Sequence, residues 1–209
     1  NEASPDVSSA EEIQAAKTNE GLDTAPDVFD LGLAVALQNT DVFAPYKVAS
    51  FDEIPAALKE PSGLFVGDYG GYMSIGYDSS KFAAPGSLDD LLSADYKGAV
   101  AINGDPTQAG AAYSGVLMVA LSQGGSVDDI APGVEFFRKL NQAGNFLPVD
   151  PTPATIESGQ TPVVIDWNYL NAAQSQNLPS WRVFVPPEYP VAGYYYQAIN
   201  KDAPHPAAA

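Results

Sequence analysis

The stretch Gly159-Gln-Thr-Pro-Val-Val-Ile-Asp-Trp-Asn-Tyr-Leu170 decides how this chain is read. Its apolar run, residues 162–165, predicts a short buried strand. The cluster Asp166, Trp167, Asn168 and Tyr169 follows, and residues 169–176 carry the pattern of an amphipathic helix. A strand that ends on polar groups and turns into a helix is the unit of an α/β sheet. Ligands bind such sheets at the carboxyl ends of their strands. A carboxylate, an indole, an amide and a phenol suit holding a small polar molecule better than transforming one.

Working outward, residues 99–102 predict a buried strand, and Gly104-Asp-Pro-Thr-Gln-Ala-Gly110 a turn. Residues 111–122 predict a long apolar helix stopped at Gly124-Gly125, and residues 127–141 an amphipathic helix ending at Gly144. A short helix over residues 152–158 precedes the deciding strand, and strands over residues 181–185 and 193–199 follow it. Towards the start, residues 64–67 and 71–77 alternate as strands do, and residues 88–92 open a short helix after Ser87. Residues 27–31 predict a strand, followed by Gly32 and a helix through Leu37; residues 42–46 and 54–58 are brief turns or helices. A helix over residues 8–17 takes Ser9 as N-cap, with Glu12 closing a capping box. Strands alternating with helices make the fold α/β. Residues 85–190 form a complete unit. The flanks form a second unit that it interrupts, joined by strand-like crossings near residues 76–81 and 192–200.

Composition narrows the function. A hydrophobic content of 45% and 11 Tyr argue for a packed protein. With 9 Lys+Arg against 26 Asp+Glu, the net charge of -17 repels phosphate backbones and anionic membranes. Nucleic acid is therefore not an expected partner, and an effector-binding regulator would need a basic DNA-reading helix that this chain lacks. The absence of Cys excludes disulfides, thiol nucleophiles and Cys-ligated zinc, and the single His lies between Pro204 and Pro206, outside any triad pattern. No run approaches the ~20 apolar residues of a membrane span. No leader is visible in residues 1–5, and no cofactor or metal is expected.

Further motifs carry a resemblance. The segment Gly67-Asp-Tyr-Gly-Gly-Tyr-Met-Ser-Ile-Gly-Tyr77 is followed by Leu91-Leu92 and Asp95-Tyr96-Lys97-Gly98. Then come Gly104-Asp105-Pro106, Phe136-Phe137-Arg138-Lys139-Leu140, residues 162–167, and Ala198-Ile-Asn-Lys-Asp-Ala-Pro-His205. In this order they resemble the extracellular solute-binding proteins of ABC importers, in the branch that takes ferric ion, polyamines, thiamine or aminophosphonates. The resemblance implies a two-lobed periplasmic-binding-protein type 2 fold. Each lobe is then a mixed sheet flanked by helices, and two crossing strands act as the hinge. It assigns residues 1–82 and 192–209 to lobe 1 and residues 83–191 to lobe 2. It also implies a further strand and helix ahead of Ser8 and helices beyond His205, so that lobe 1 is incomplete here.

The resemblance further implies capture of a small polar solute in an interlobe cleft, closing as a hinged clamp. Delivery would be to a membrane permease and its ATPase, by an exported monomer that is periplasmic or tethered at the cell surface. Ser8 and Ser9 match the family's Ser-rich loop, where hydroxyls and backbone N–H groups hold an anion, or simply cap the helix. Thr107 and Gln108 offer a second polar anchor, or form an ordinary turn with Asp105 as its Asx residue. Asp166 pairs with an amine and Trp167 offers its face to the same cation; otherwise Asp166 caps the helix and Trp167 is core. Ferric-ion binders place adjacent tyrosines near Tyr169, whereas its neighbours here are Asn168 and Leu170, which argues against ferric ion. Tyr69 and Tyr72 sit in a Gly-rich turn, Tyr195 points opposite to Tyr194 and Tyr196, and Gly32 permits close backbone approach. An amine and an anion together fit an aminophosphonate or a thiamine-like compound, with a polyamine next. The competing reading is a secreted hydrolase that uses Asp105 and Asp166 as a carboxylate pair ~5–9.5 Å apart.

Overall fold

The computed structural model describes residues 7–107 and 109–209. In chain order the elements are α1 (Ser9–Thr18), β1 (Val28–Gly32), α2 (Leu33–Gln38), β2 (Phe43–Ala44) and β3 (Val66–Asp78). After them come β4 (Val100–Ile102), α3 (Gly110–Ser122), α4 (Ala131–Gln142), α5 (Pro153–Glu157), β5 (Val163–Trp167), α6 (Asn168–Gln174), β6 (Trp181–Phe184) and β7 (Ala192–Asn200). They divide into two units, Asn1–Gly70 with Tyr194–Ala209, and Gly71–Gly193. The fold is α/β with mixed strand pairing, as expected.

In the first unit, β7 pairs antiparallel with β1, Val28 opposite Ile199 and Gly32 opposite Tyr195, and with the short β2. Strand alternation puts Phe29, Leu31, Tyr196 and Ala198 on one face. That face is buried under Ile13 and Ala16 of α1, Ala36 of α2, and Phe43 and Phe65. Tyr196 meets Phe65 edge to face at 5.5 Å. The cap of α1 differs from the expected one by a residue. Ser8 is the N-cap and Glu11 completes its capping box. The hydroxyl of Ser9 and the carboxylate of Glu12 instead accept the Gly32 and Asp30 N–H groups, at 3.0 and 2.9 Å. Tertiary hydrogen bonds to β1 took the two side chains that a local pattern assigns to the cap.

In the second unit, β3 pairs antiparallel with β5 and β6, and β5 pairs parallel with β4. β5 is buried along its whole length. It runs two residues past the expected end because Asp166 and Trp167 stay in register with Ser74 and Met73. α3 is apolar all round because it is covered on two sides. Gly115 lets it approach Ile165 and Ile102 of the sheet, and Gly133 of α4 lies against its Val116 carbonyl and Ala120. α4 buries Gly133, Phe136 and Leu140, one stripe at helical spacing. It starts at Ala131 rather than residue 127, with Pro in its first turn.

The chain passes from the first unit to the second at Gly70–Gly71 and returns at Gly193–Tyr194. The first passage falls ahead of residues 76–81, where it was expected. β3 is one continuous strand whose buried half, from Met73 onward, pairs with β5 and β6, so residues 71–82 pack in the second unit.

Candidate functional site

Unit 1 joins four of the expected residues, Ser9, Gly32, Tyr195 and Tyr69, in one chain of contacts and leaves Ser8 outside it. Ser8 is spent on the cap, its N–H and hydroxyl both donating to the Glu11 carboxylate, at 2.8 and 2.7 Å. Ser9 accepts from the Gly32 N–H, and Gly32 lies opposite Tyr195 in the β1–β7 ladder. Tyr195 stacks on Tyr69, with ring centroids 5.2 Å apart and planes 6° apart. The Tyr69 hydroxyl donates to Asp30 at 2.6 Å. Of the three consecutive tyrosines, Tyr196 enters the core, Tyr195 takes the opposite face and Tyr194 is exposed.

Three residues that sequence reasoning missed complete this assembly: Glu12, Asp30 and Gln197. The Gln197 side-chain amide donates to the other Asp30 oxygen at 3.2 Å. Burial pushes the Glu12 carboxyl from 4.5 up to about 7; the Asp30 N–H bond opposes the rise and the Asp30 charge adds to it. Burial likewise raises Asp30, eased by the Tyr69 hydroxyl and reinforced by Asp68. The signal was present in the sequence. Asp30 lies between Phe29 and Leu31, so a strand that buries both must turn a carboxylate to its other face.

Unit 2 holds the remaining candidates. Asp166 is buried, its Oδ2 accepting from the Asn103 amide at 3.0 Å and its Oδ1 from the Trp167 N–H at 2.7 Å. Burial lifts its pKa to about 6 against the pull of those two bonds. Asp166 does not cap α6, whose N-cap is Trp167 with no side-chain bond. Trp167 is only 4% exposed, and its indole N–H has no acceptor among the described residues. Asn168 accepts the Tyr72 N–H at 2.8 Å, and the Tyr169 ring lies against Gly71. The Tyr72 side chain is exposed. Thr107 is exposed, and both its N–H and its hydroxyl donate to Asp105 at 2.8 Å, an Asx turn that leads into α3. Gln108 lies outside the described residues. The tail histidine, His205, bonds to Asp27 in unit 1. Among the described residues no cluster of three or more His, Cys, Asp or Glu could hold a metal ion, and no helix is long and apolar enough to cross a membrane.

Helices packed on strands that pair antiparallel in the first unit, and both antiparallel and parallel in the second, make an α/β fold. The sequence signature described as bacterial extracellular solute-binding protein matches residues 24–209, and the chain belongs to that family. Among solved structures, the periplasmic binding protein P5PA is 18% identical with a TM-score of 0.73, covering 96% of this chain and 66% of its own. AfuA from Actinobacillus pleuropneumoniae, solved with exogenous fructose-6-phosphate, is 16% identical with a TM-score of 0.73 and coverages of 96% and 65%. The spermidine/putrescine ABC transporter substrate-binding protein PotD of Streptococcus pneumoniae is 14% identical, with a TM-score of 0.67 and coverages of 96% and 64%. The chain thus spans just under two thirds of the length of these structures. No curated protein sequence matches it.

Proposed function

We propose that this chain captures a small polar solute bearing an amine, holds it without transforming it, and passes it to an ABC permease and its ATPase. One observation carries the amine. In unit 1, Glu12 and Asp30 share one small region with the Tyr69–Tyr195 stack, and both carboxyls are raised above their ordinary range. A positive charge arriving there would ionise them and relieve the cost of their burial. The Ser9 hydroxyl, which accepts the Gly32 N–H, adds a donor for an anionic end of the same solute. Asp166, Tyr169 and Tyr72 are the groups proposed from unit 2. An aminophosphonate or thiamine-like compound satisfies both kinds of group, and a polyamine satisfies the carboxylates and rings alone.

The hydrolase alternative gains no support from its two carboxylates. Asp105 is exposed and held by Thr107, while Asp166 is buried against Asn103. The family's description places its members outside the cytoplasm. A periplasmic or surface-tethered monomer is the form proposed for this one.

Native mass spectrometry of the purified protein, followed by the same sample denatured, tests the reading. A small adduct containing basic nitrogen and lost on denaturation is the expected result. An adduct without nitrogen removes the amine. Asp166→Asn should weaken binding of that solute tenfold or more, equivalent to ~1.4 kcal/mol. Unchanged affinity removes Asp166 from the site.

A further inference from the structure

Both passages between the units are made through glycines pressed against one short segment of unit 2. A Cβ on Gly71, the first residue of that unit, would fall on the Asn168 amide oxygen and lie 2.7 Å from Tyr169 Cδ1. A Cβ on Gly193, the last residue, would lie 2.5 Å from Trp167 Cη2 and 3.1 Å from its Cζ2. Neither glycine has a positive φ, so the requirement at each is room for a neighbour rather than an unusual backbone conformation.

Hydrogen bonds join the same parts. Asn168 Oδ1 accepts the Tyr72 N–H at 2.8 Å, and Met73 N–H donates to the Val191 carbonyl at 2.8 Å. Met73 is also the register partner of Trp167. Behind them lies a buried polar set. Ser74 Oγ donates to the Asp166 carbonyl at 2.9 Å, and Asn171 Nδ2 donates to Ser74 Oγ at 2.9 Å. Residues 167–169 therefore touch the outgoing and the returning strand at once, with no slack at either glycine.

We infer that residues 167–169 act as a clamp that couples the two passages, with Asn168 as its positioning residue. A displacement at one passage is transmitted to the other through Trp167 and Asn168. A solute engaging Asp166 or Tyr169 acts on both together, and that last step alone rests on the reading proposed above. Coupling of this kind is reciprocal, so it must be visible from either end.

The test needs no solute. Residue-resolved amide exchange and NMR shifts are recorded for the wild type, Asn168→Ala, Asn168→Asp and Gly193→Ala, with the β4 amides as the measure of global stability. In Asn168→Ala the Tyr72 amide should exchange at least tenfold faster. The Gly193 Hα resonance, shifted in the wild type by the Trp167 ring current, should also move, although Asn168 is not the residue packed on Gly193. Asn168→Asp keeps an acceptor oxygen and should restore both. Gly193→Ala displaces the Trp167 ring and should speed Tyr72 exchange at least tenfold more than it speeds exchange in β4. If Asn168→Ala does not fold, this reciprocal variant decides alone. Faster Tyr72 exchange with Gly193 unmoved, a Gly193→Ala protein with wild-type Tyr72 exchange, or a uniform rise that includes β4 would each overturn the clamp. Any of these leaves the solute reading, tested by mass, standing.

Discussion

Glu12→Gln removes a charge and almost nothing else. The Glu12 carboxylate accepts the Asp30 N–H at 2.9 Å, and an amide oxygen at the same place keeps that bond. In the folded chain burial holds the carboxyl at about 7, against an ordinary value of 4.5. As pH rises between those values the unfolded chain releases its proton first. The folded state then binds more protons, and stability falls until pH passes about 7. The full gap corresponds to about 3 kcal/mol at ~1.4 kcal/mol per tenfold. Glu12 is only partly buried, so solvent screening reduces this to ~1–2 kcal/mol. Glu12→Gln should therefore be ~1–2 kcal/mol more stable than the wild type at pH 8, with the difference gone near pH 4. Urea unfolding followed by circular dichroism at several pH values measures it. The difference between the two proteins isolates Glu12, because the net charge of -17 gives each its own pH slope. A variant equally or less stable at pH 8 refutes the reasoning.

Ser8→Ala and Ser9→Ala should each cost ~1 kcal/mol, but in different places. The first frees the Glu11 N–H of the helix cap and the second the Gly32 N–H of β1, so amide exchange at those two positions tells them apart. Gly76→Ala should destabilise by ~2–3 kcal/mol or more, because the added methyl meets the buried Asn171 and Trp181 side chains. Thermal unfolding checks this, and a melting temperature within a degree or two of the wild type sinks it.

The fold was legible wherever burial followed a period. Phe29 and Leu31, the run into Ile165, and the apolar helix α3 all announce themselves by spacing or length. Boundaries failed where a tertiary bond overruled a local one. Ser9 and Glu12 have the spacing of a capping box, yet β1 takes both side chains and the cap moves to Ser8 and Glu11. β3 was divided at the glycines around residue 70, because sequence gives no sign that a strand continues through them into another unit. Tyr69 and Tyr195 were identifiable by residue type, Gly32 by its place after a strand, and Ser9 from the family resemblance. Their joining through Asp30 was not, since it depends on a β1–β7 register that spans more than 160 residues of chain. Asn168 was visible as an amide at a strand end. Its bond to Tyr72 comes from the other side of the sheet pairing, 96 residues away in sequence.

The raised carboxyls of unit 1 also make the charge of the solute measurable from pH alone. Free protein holds Glu12 partly protonated near neutral pH, and Asp30 lies above its ordinary range for the same reason. A cationic group bound beside them favours the ionised forms, so binding must release protons. Its affinity then rises as pH is raised from 5 and levels off above about 7. The slope is at most tenfold per pH unit for each proton released. An anionic group held at the same place by the Ser9 hydroxyl favours the protonated carboxyls and gives the opposite slope. Calorimetry with the solute identified by mass, run at pH 5, 6, 7 and 8 in buffers of different ionisation enthalpy, reads both affinity and proton release. For an amine the expected result is tighter binding at pH 8 than at pH 5, with protons released near pH 6, and Glu12→Gln should lose most of that slope. Affinity that falls with pH in the wild type would place the anionic end of the solute against Glu12 and Asp30, and the amine would have to be held elsewhere.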